Sequence, residues 1–249
     1  MWDDRKVSLV FPTYNEKGSI RAAIEDFFAS GYVDEIIVVN NNAAAGTEAE
    51  VAKTRAVQVF EKQQGYGHAI RKGLECVTGD LIIISEPDGT FLGADVLKML
   101  AYSDSADVVF GTRTTNTMIL DGANMGLFLK WGNWAAAKLI EVLFFTRHLS
   151  DVGCTMRLIE RPALEKIRGQ FTVGGSHFGP EFMLLTILNG LTFVEIPVRY
   201  NKRVGESSVT GHFWKAFRLG IIMIRLILKH RVKSWFGVLW GNRPSAKRL

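Results

Sequence analysis

Apolar residues recur along this chain in short runs separated by segments with helical spacing. Val7-Ser8-Leu9-Val10-Phe11, stopped by Pro12, reads as a buried strand. Leu81-Ile82-Ile83-Ile84 reads the same way, and Glu35-Ile36-Ile37-Val38-Val39, Val57-Gln58-Val59-Phe60 and Asp107-Val108-Val109-Phe110 read as further strands. Between them, residues 19–30 carry Ile20, Ile24, Phe27 and Phe28 at helical intervals, and 48–55, 65–77 and 94–102 predict further helices. Farther on, 123–145 predicts a long helix rich in aromatic residues, 156–159 a strand, 178–188 a helix, and 192–200 a last strand. Pro197 in that strand suits an edge or a bulge, because proline cannot donate to a ladder. Strands alternating with helices of about a dozen residues indicate β-α-β units. The predicted fold is α/β with a mostly parallel sheet flanked by helices.

The last part of the chain follows a different pattern. Residues 213–229 are helical in period, and Lys215, Arg218, Ile222, Arg225 and Lys229 fall within about 80° of one another on the wheel. Nearly every other position there is apolar. A narrow basic stripe beside a broad apolar face predicts a helix lying in a membrane interface, with Trp235 and Trp240 in the interfacial belt. The alternative is a helix packed on the core or on a second subunit. The longest apolar run within 213–229, at 219–224, is far short of the roughly 20 residues that span a bilayer. The aromatic helix at 123–145 (Phe128, Trp131, Trp134, Phe144, Phe145) likewise reads either as core or as a lipid-facing surface.

Charge sharpens this division. The chain of 249 residues has a formal net charge of +5. From 211 to 249 there are nine basic residues and no acidic one, which leaves 21 basic against 25 acidic residues in 1–210. A basic tail on a mildly acidic body implies an anionic partner, and without a recognition motif a membrane surface is expected instead of nucleic acid. Cys76 and Cys154 are far apart, and His68, His148, His177, His212 and His230 show no ligand spacing, so a reducing compartment and no zinc site are expected. No targeting peptide is evident before the first strand.

The candidate chemistry gathers after the strand at 81–84. Glu86 and Asp88 stand two positions apart, where ligands bind in an open parallel sheet, and both can face one hard cation such as Mg²⁺ or Mn²⁺. Arg113 ends the next strand, where its planar fork suits a diphosphate. Arg203 with Ser207 and Ser208 forms a polar loop that could close over a phosphate. Glu181 opens a helix, where a carboxylate also suits the helix dipole. Gly65-Tyr66-Gly67 lacks the third glycine of a dinucleotide loop and follows the third strand, and no G-K-[ST] loop exists, so nicotinamide and P-loop chemistry are not expected. The two glycines either let a loop approach another backbone or border a bound nucleotide.

In order, Phe11-Pro12-Thr13-Tyr14-Asn15-Glu16, Glu35-Ile36-Ile37-Val38-Val39-Asn40, Gly65-Tyr66-Gly67, Glu86-Pro87-Asp88, Gly111-Thr112-Arg113, Asp151-Val152-Gly153-Cys154 and Glu195-Ile196-Pro197-Val198, leading to Arg203 and Ser207, resemble the family 2 glycosyltransferases of GT-A (Rossmann-like) fold. More narrowly they are similar to the polyprenyl-phosphate sugar synthases, such as the dolichol-phosphate mannose synthases. The resemblance covers about 7–200 and continues into the 203–208 loop. It implies an inverting, metal-dependent hexosyltransferase that moves a sugar from a nucleotide-diphosphate sugar (GDP-mannose or a UDP-sugar) to a membrane polyprenyl phosphate. On the motif, Pro12, Tyr14 and Glu16 would line the nucleotide pocket, with Gly65 and Gly67 beside it, and Asn40 would hold base or ribose. Glu86 and Asp88 would hold the metal, and Arg113, Arg203 and Ser207 would contact phosphates. The chain departs from the family in ending the second strand with Asn40-Asn41-Asn42 instead of aspartates, in Glu86, and in Thr90 where a glutamine often helps bind metal.

The expectation is thus a catalytic domain over 1–208 and a membrane-associating tail over 209–249, at the cytoplasmic face of a membrane as a peripheral or monotopic protein. A phosphate acceptor needs no general base. A lipid hydroxyl acceptor, such as diacylglycerol or ceramide, would need one, with Asp151 or Glu181 as candidates. A non-catalytic membrane scaffold on a decayed transferase fold is the third reading, motivated by Asn40–Asn42. The sequence leaves the oligomeric state open.

Overall fold

The computed structural model describes residues 1–120, 127–205 and 213–239. Seven strands form one sheet: β1 (Val7–Thr13), β2 (Glu35–Asn40), β3 (Val57–Phe60), β4 (Leu81–Ile84), β5 (Val108–Thr112), β6 (Arg157–Glu160) and β7 (Phe193–Pro197). Among the described residues eight α-helices accompany them: α1 (Ile20–Ala29), α2 (Thr47–Val51), α3 (Tyr66–Cys76), α4 (Val96–Ala101), α5 (Leu127–Phe144), α6 (Arg161–Ile167), α7 (Phe178–Leu188) and α8 (Phe213–Leu239). The strand order is β3-β2-β1-β4-β6-β5-β7. All pairs are parallel except those of β6, which runs antiparallel to both β4 and β5. The mostly parallel α/β fold read from the sequence is therefore present. Pro197 ends β7 at the sheet's edge, where no partner needs its missing N–H.

The central strands are buried on both faces, as their unbroken apolar runs require. Alternate residues supply two separate cores. Val10, Ile82, Ile84 and Phe110 point to one face, against α3, α5, α6, α7 and α8; Leu9, Phe11, Ile83 and Val109 point to the other, against α1 and α4. Helix α6 had no counterpart in the pattern reading. It starts directly after β6 with Pro162 in its first turn, where the missing N–H is harmless, so a residue that reads as a breaker opens a helix. Helix α7 is buried on every side, hence apolar all round.

Helix α8 divides the broad apolar face expected for it. Met223, Leu226 and Ile227 are buried in the core beside α5 and α7. Trp214, Phe217, Ile221, Ile224, Leu228, Val232 and Trp235 form a second apolar row that is exposed, and Arg218, Arg225 and Lys229 are exposed beside it. Packing on the core and an exposed amphipathic face therefore coexist on one helix. On α5, Trp131, Trp134 and Val142 are exposed and Ala137 and Ile140 are buried. The Arg231 guanidinium lies 5.0 Å from the Trp235 ring and 5.7 Å from those of Phe144 and Phe145, which ties the ends of the two helices. Trp240 lies outside the described residues.

At the opposite end of the sheet from the crevice, Glu35 joins three segments. Its carboxylate accepts bonds from Ser8 Oγ (2.5 Å), Thr78 N (2.6 Å), Thr78 Oγ1 (2.9 Å) and Lys6 Nζ (3.0 Å). Burial alone would raise its pKa, but these donors together outweigh burial and bring it from 4.5 to about 2. A depressed carboxylate pKa contributes stability that is complete above the unfolded value and lost as pH falls through the folded one. The stability advantage of wild type over Glu35→Gln is accordingly expected to be present above pH 4.5 and to vanish between there and about pH 2. Urea unfolding at stepped pH reads it, and a constant difference across that window would contradict the assignment.

Candidate active site

The carboxyl ends of β1, β2 and β4 and the amino end of antiparallel β6 open on one side of the sheet, the side where open α/β sheets bind ligands. A cavity of about 380 Å³ lies there. Pro12, Tyr14 and Glu16 line it from the β1–α1 turn, Asn41 and Gln64–Tyr66 from beyond β2 and β3, Glu86 from the turn after β4, and Arg113 and Arg203 from farther along the chain. Val152, Gly153, Arg157, Phe178 and Gly179 complete the far wall, and Leu219 and Met223 of α8 reach it as well.

Asp88 sits behind Glu86 with no exposed surface. Gly89, with φ +81°, turns the chain back so that Thr90 N (2.9 Å) and Thr90 Oγ1 (2.5 Å) both donate to Asp88 Oδ1. The residue standing where relatives often place a glutamine thus orients a carboxylate. Asp88 Oδ2 is buried and accepts no hydrogen bond from the described residues, although Arg203 Nη2 lies 3.2 Å away as an ion-pair partner. Burial, then the neighbouring Asp88 charge, push the Glu86 carboxyl well above the ordinary carboxylate range. An unbonded buried oxygen next to a second, destabilised carboxylate is what a divalent cation would relieve. Among the described residues no group of three or more His, Cys, Asp or Glu forms a complete cage. Two carboxylates with the remaining positions left to water and phosphate oxygens is the arrangement Mg²⁺-type sites favour, so the pair fits such a metal.

The arginines of the cavity are held differently. Arg113 is clamped by Asp151 through Nε–Oδ2 (2.8 Å), Nη2–Oδ1 (2.9 Å) and its own backbone N–H (3.1 Å). Burial raises the pKa of Asp151, but Arg113 outweighs it and the carboxyl ends below its ordinary value. Asp151 has no exposed surface and does not line the cavity. Arg203 bridges Glu16 Oε1 (3.2 Å) and Asp88, while Glu16 Oε2 accepts from the backbone of Tyr14 (2.7 Å) and Asn15 (2.9 Å), fixing the β1–α1 turn. Ser207 and Ser208 lie outside the described residues.

Besides Asp151, three further expected site residues do not reach the cavity. Asn40 donates to Glu48 (3.2 Å) and accepts from Ala43 N (2.9 Å), away from the cavity; its neighbour Asn41 is the lining residue. Glu181 is buried and accepts from Thr172 N (3.0 Å), Thr172 Oγ1 (2.6 Å) and Val173 N (2.9 Å), so it pins the 172–173 loop and does not reach the cavity. Its carboxylate is consumed by three donors, which leaves it poorly suited to act as a base. Gly67 does not line the cavity either: a Cβ there would meet Val173 O at 2.3 Å. Gly65, which does line it, has φ +147° and would meet Gly174 O at 2.2 Å. The close approach of two backbones accounts for both glycines, and Gly65 borders the cavity in addition.

The Asn40–Asn42 departure also has a physical account. Asn41 Nδ2 donates to Glu61 O (2.9 Å) and Gln63 O (2.8 Å), and its Oδ1 accepts from Gly65 N (2.8 Å) and Gln64 Nε2 (3.2 Å). An aspartate would place anionic oxygen against two carbonyls, so only the amide serves this loop. Pattern reading missed Asn41, Tyr66 and Arg157. The available signal for Arg157 was a single charge inside the otherwise apolar run Met156-Arg157-Leu158-Ile159.

Residues 8–168 match the family described as Glycosyl transferase family 2. Over 212 residues the chain is 30% identical to the low-salt glycan biosynthesis hexosyltransferase Agl6 of Haloferax volcanii, covering 82% of this chain and 49% of that protein, so it spans about half of that relative's length. It is 25% identical over 232 residues to the dolichyl-phosphate hexose transferase of the same organism, covering 91% of this chain and 96% of that one. In structure it is similar to glucosyl-3-phosphoglycerate synthase from Mycobacterium tuberculosis, solved with Mn²⁺, uridine diphosphate and phosphoglyceric acid, at TM-score 0.72 and 15% identity over 92% of this chain and 79% of that one. The family match covers most of the chain and contains the carboxylate turn, the Arg113–Asp151 clamp and the start of β6: this chain belongs to glycosyl transferase family 2.

Proposed function

We propose that the chain transfers a hexose, with inversion, from a nucleotide-diphosphate sugar to a polyprenyl phosphate at the cytoplasmic face of a membrane. The observation that carries the reading is Glu86 in the wall of a cavity that also holds Arg113 and Arg203, with Asp88 buried behind it and one Asp88 oxygen accepting no hydrogen bond from the described residues. Glu86 and Asp88 would hold Mg²⁺ or Mn²⁺, which when bound would neutralise the donor diphosphate and stabilise charge developing on the leaving group. Arg203, paired with Asp88 here, would move its charge to the diphosphate. Tyr14, with 43% of its surface exposed, offers a ring for the nucleoside beside Asn41 and Gln64.

The engagement of both candidate bases supports the phosphate acceptor over a hydroxyl one. The two candidate bases are both engaged, Asp151 by Arg113 and Glu181 by the 172–173 backbone. A phosphate monoester is ionised near neutral pH and needs no base, whereas a lipid hydroxyl does. The dolichyl-phosphate hexose transferase relative, of nearly the same length, supports the same choice.

Residues 1–208 would then be the catalytic domain and 209–249 the membrane-associating part, with the exposed rows of α8 and α5 in the interface. No described helix is long and apolar enough to cross a membrane. Leu219 and Met223 both belong to α8 and line the cavity, so the same helix would hold the site against the lipid whose head group it uses. Each basic residue near an anionic surface contributes about 1 kcal/mol. Reversing Arg218, Arg225 and Lys229 to glutamate is expected to lower binding to phosphatidylserine vesicles by more than about a hundredfold in flotation. Sugar transfer to vesicle-borne polyprenyl phosphate should fall in parallel. Unchanged flotation would remove the electrostatic part of this reading, and transfer to diacylglycerol but not to polyprenyl phosphate would overturn the acceptor.

A further inference from the structure

Among the described residues three arginines line the cavity. Arg113 is neutralised by Asp151, and Arg203 by Glu16 and Asp88. Arg157 has no ion-pair partner among the described residues, yet it is only 3% exposed. Its Nε donates to Cys154 O (3.0 Å), Nη1 to Gly179 O (2.6 Å) and Nη2 to Val152 O (3.1 Å), and its Cζ lies 5.3 Å from the Phe110 ring and 5.6 Å from that of Phe182. A Cβ on Gly179 would stand 2.7 Å from Nη2, so that glycine makes room for the guanidinium. Three carbonyls occupy three of five N–H donors. Neutral amides could serve those carbonyls without the cost of desolvating an unpaired cation. A socket that holds a cation and supplies no anion suits an anion that arrives with a substrate.

Its position says which substrate. Arg157 pairs with Ile84 across the β4–β6 ladder, two residues from Glu86, on the side of β4 away from β1 and its nucleotide-side residues Pro12 and Tyr14. Tyr66 lines the same cavity, and its hydroxyl has no hydrogen-bond partner among the described residues. We propose that Arg157 and the Tyr66 hydroxyl form an oxyanion subsite that binds the acceptor's phosphate and holds it against the repulsion of Glu86 and Asp88. This rests on the reading above only for the identity of the anion's carrier.

Inorganic phosphate, without metal or nucleotide, is the probe. It is expected to raise the Tm of the wild-type chain, and Arg157→Gln is expected to weaken that response by roughly ten- to a hundredfold, the loss of a charge-assisted hydrogen bond. Arg157→Gln should keep the shift given by Mn²⁺ with the nucleotide. No phosphate response in wild type, an undiminished one in Arg157→Gln, or loss of both shifts in a folded variant would each overturn the subsite. If Arg157→Gln does not fold, Arg157→Lys and Tyr66→Phe read the same titration; several-fold weakening in both supports the subsite and none in either overturns it. With polyprenyl phosphate, the acceptor KM should rise while the donor KM holds; the reverse would assign Arg157 to the donor. A wild-type chain that answers phosphate but no nucleotide would sink the transferase reading and leave the subsite standing.

Discussion

Asp88→Ala is expected to abolish metal-dependent nucleotide-sugar binding and to lower sugar transfer by at least about a thousandfold, because it removes the carboxylate on which charge stabilisation of the leaving group depends. The effect should separate from folding. Asp88 Oδ2 has no hydrogen bond to lose, and Arg203 keeps Glu16 as partner. The cost to the fold falls on Thr90, whose N–H and hydroxyl lose their acceptor, and on Arg203, which loses one of its two ion-pair partners, while Glu86 is relieved of a neighbouring charge. Circular dichroism and Tm without metal should therefore stay near those of the wild-type chain. Activity close to wild type in Asp88→Ala would contradict the metal assignment outright.

Asp151→Ala is expected to behave in the opposite manner, with a large loss of stability. It would leave the Arg113 guanidinium, 11% exposed, without its bidentate partner, and would strip Gly153 N of its acceptor. Removing one member of a buried ion pair costs about 3–5 kcal/mol, since the other charge stays buried and unpaired. Urea unfolding should show that loss. If Asp151 were instead a general base with little structural duty, the variant would unfold near the wild-type midpoint and lose activity through kcat alone. The Tyr200 ring, 5.0 Å from the Arg113 guanidinium, would compensate only in small part.

Much of this was legible before the structure, and the limits have physical causes. The buried strands declared themselves because a strand covered on both faces must be apolar at every position, as Leu81–Ile84 is. The carboxylate pair was legible because its place after such a strand is where the fold opens to ligands. The direction of β6 was not, since a short apolar run carries no sign of parallel or antiparallel pairing. Asn40 and Asn41 are adjacent in sequence, and only the ladder decides which of them faces the cavity. Glu181 reads as a candidate base at a helix start, but its three donors come from a loop at 172–173 that local pattern could not bring to it. Helix α8 was the hardest case. An apolar arc of that width can be covered by protein, by lipid or by both, and only packing against α5 and α7 divides it between them.

The central claim is that the Glu86–Asp88 pair binds a nucleotide-diphosphate sugar through a divalent metal. The most direct measurement is a thermal-shift panel of UDP- and GDP-sugars, each with and without Mn²⁺, on the full chain and on Asp88→Ala. A ligand in large excess over its Kd stabilises the folded state by a few kcal/mol, enough to move Tm visibly. A shift with one nucleotide class that requires Mn²⁺ and disappears in Asp88→Ala is expected. A shift that is the same without metal, or that survives in Asp88→Ala, would contradict it.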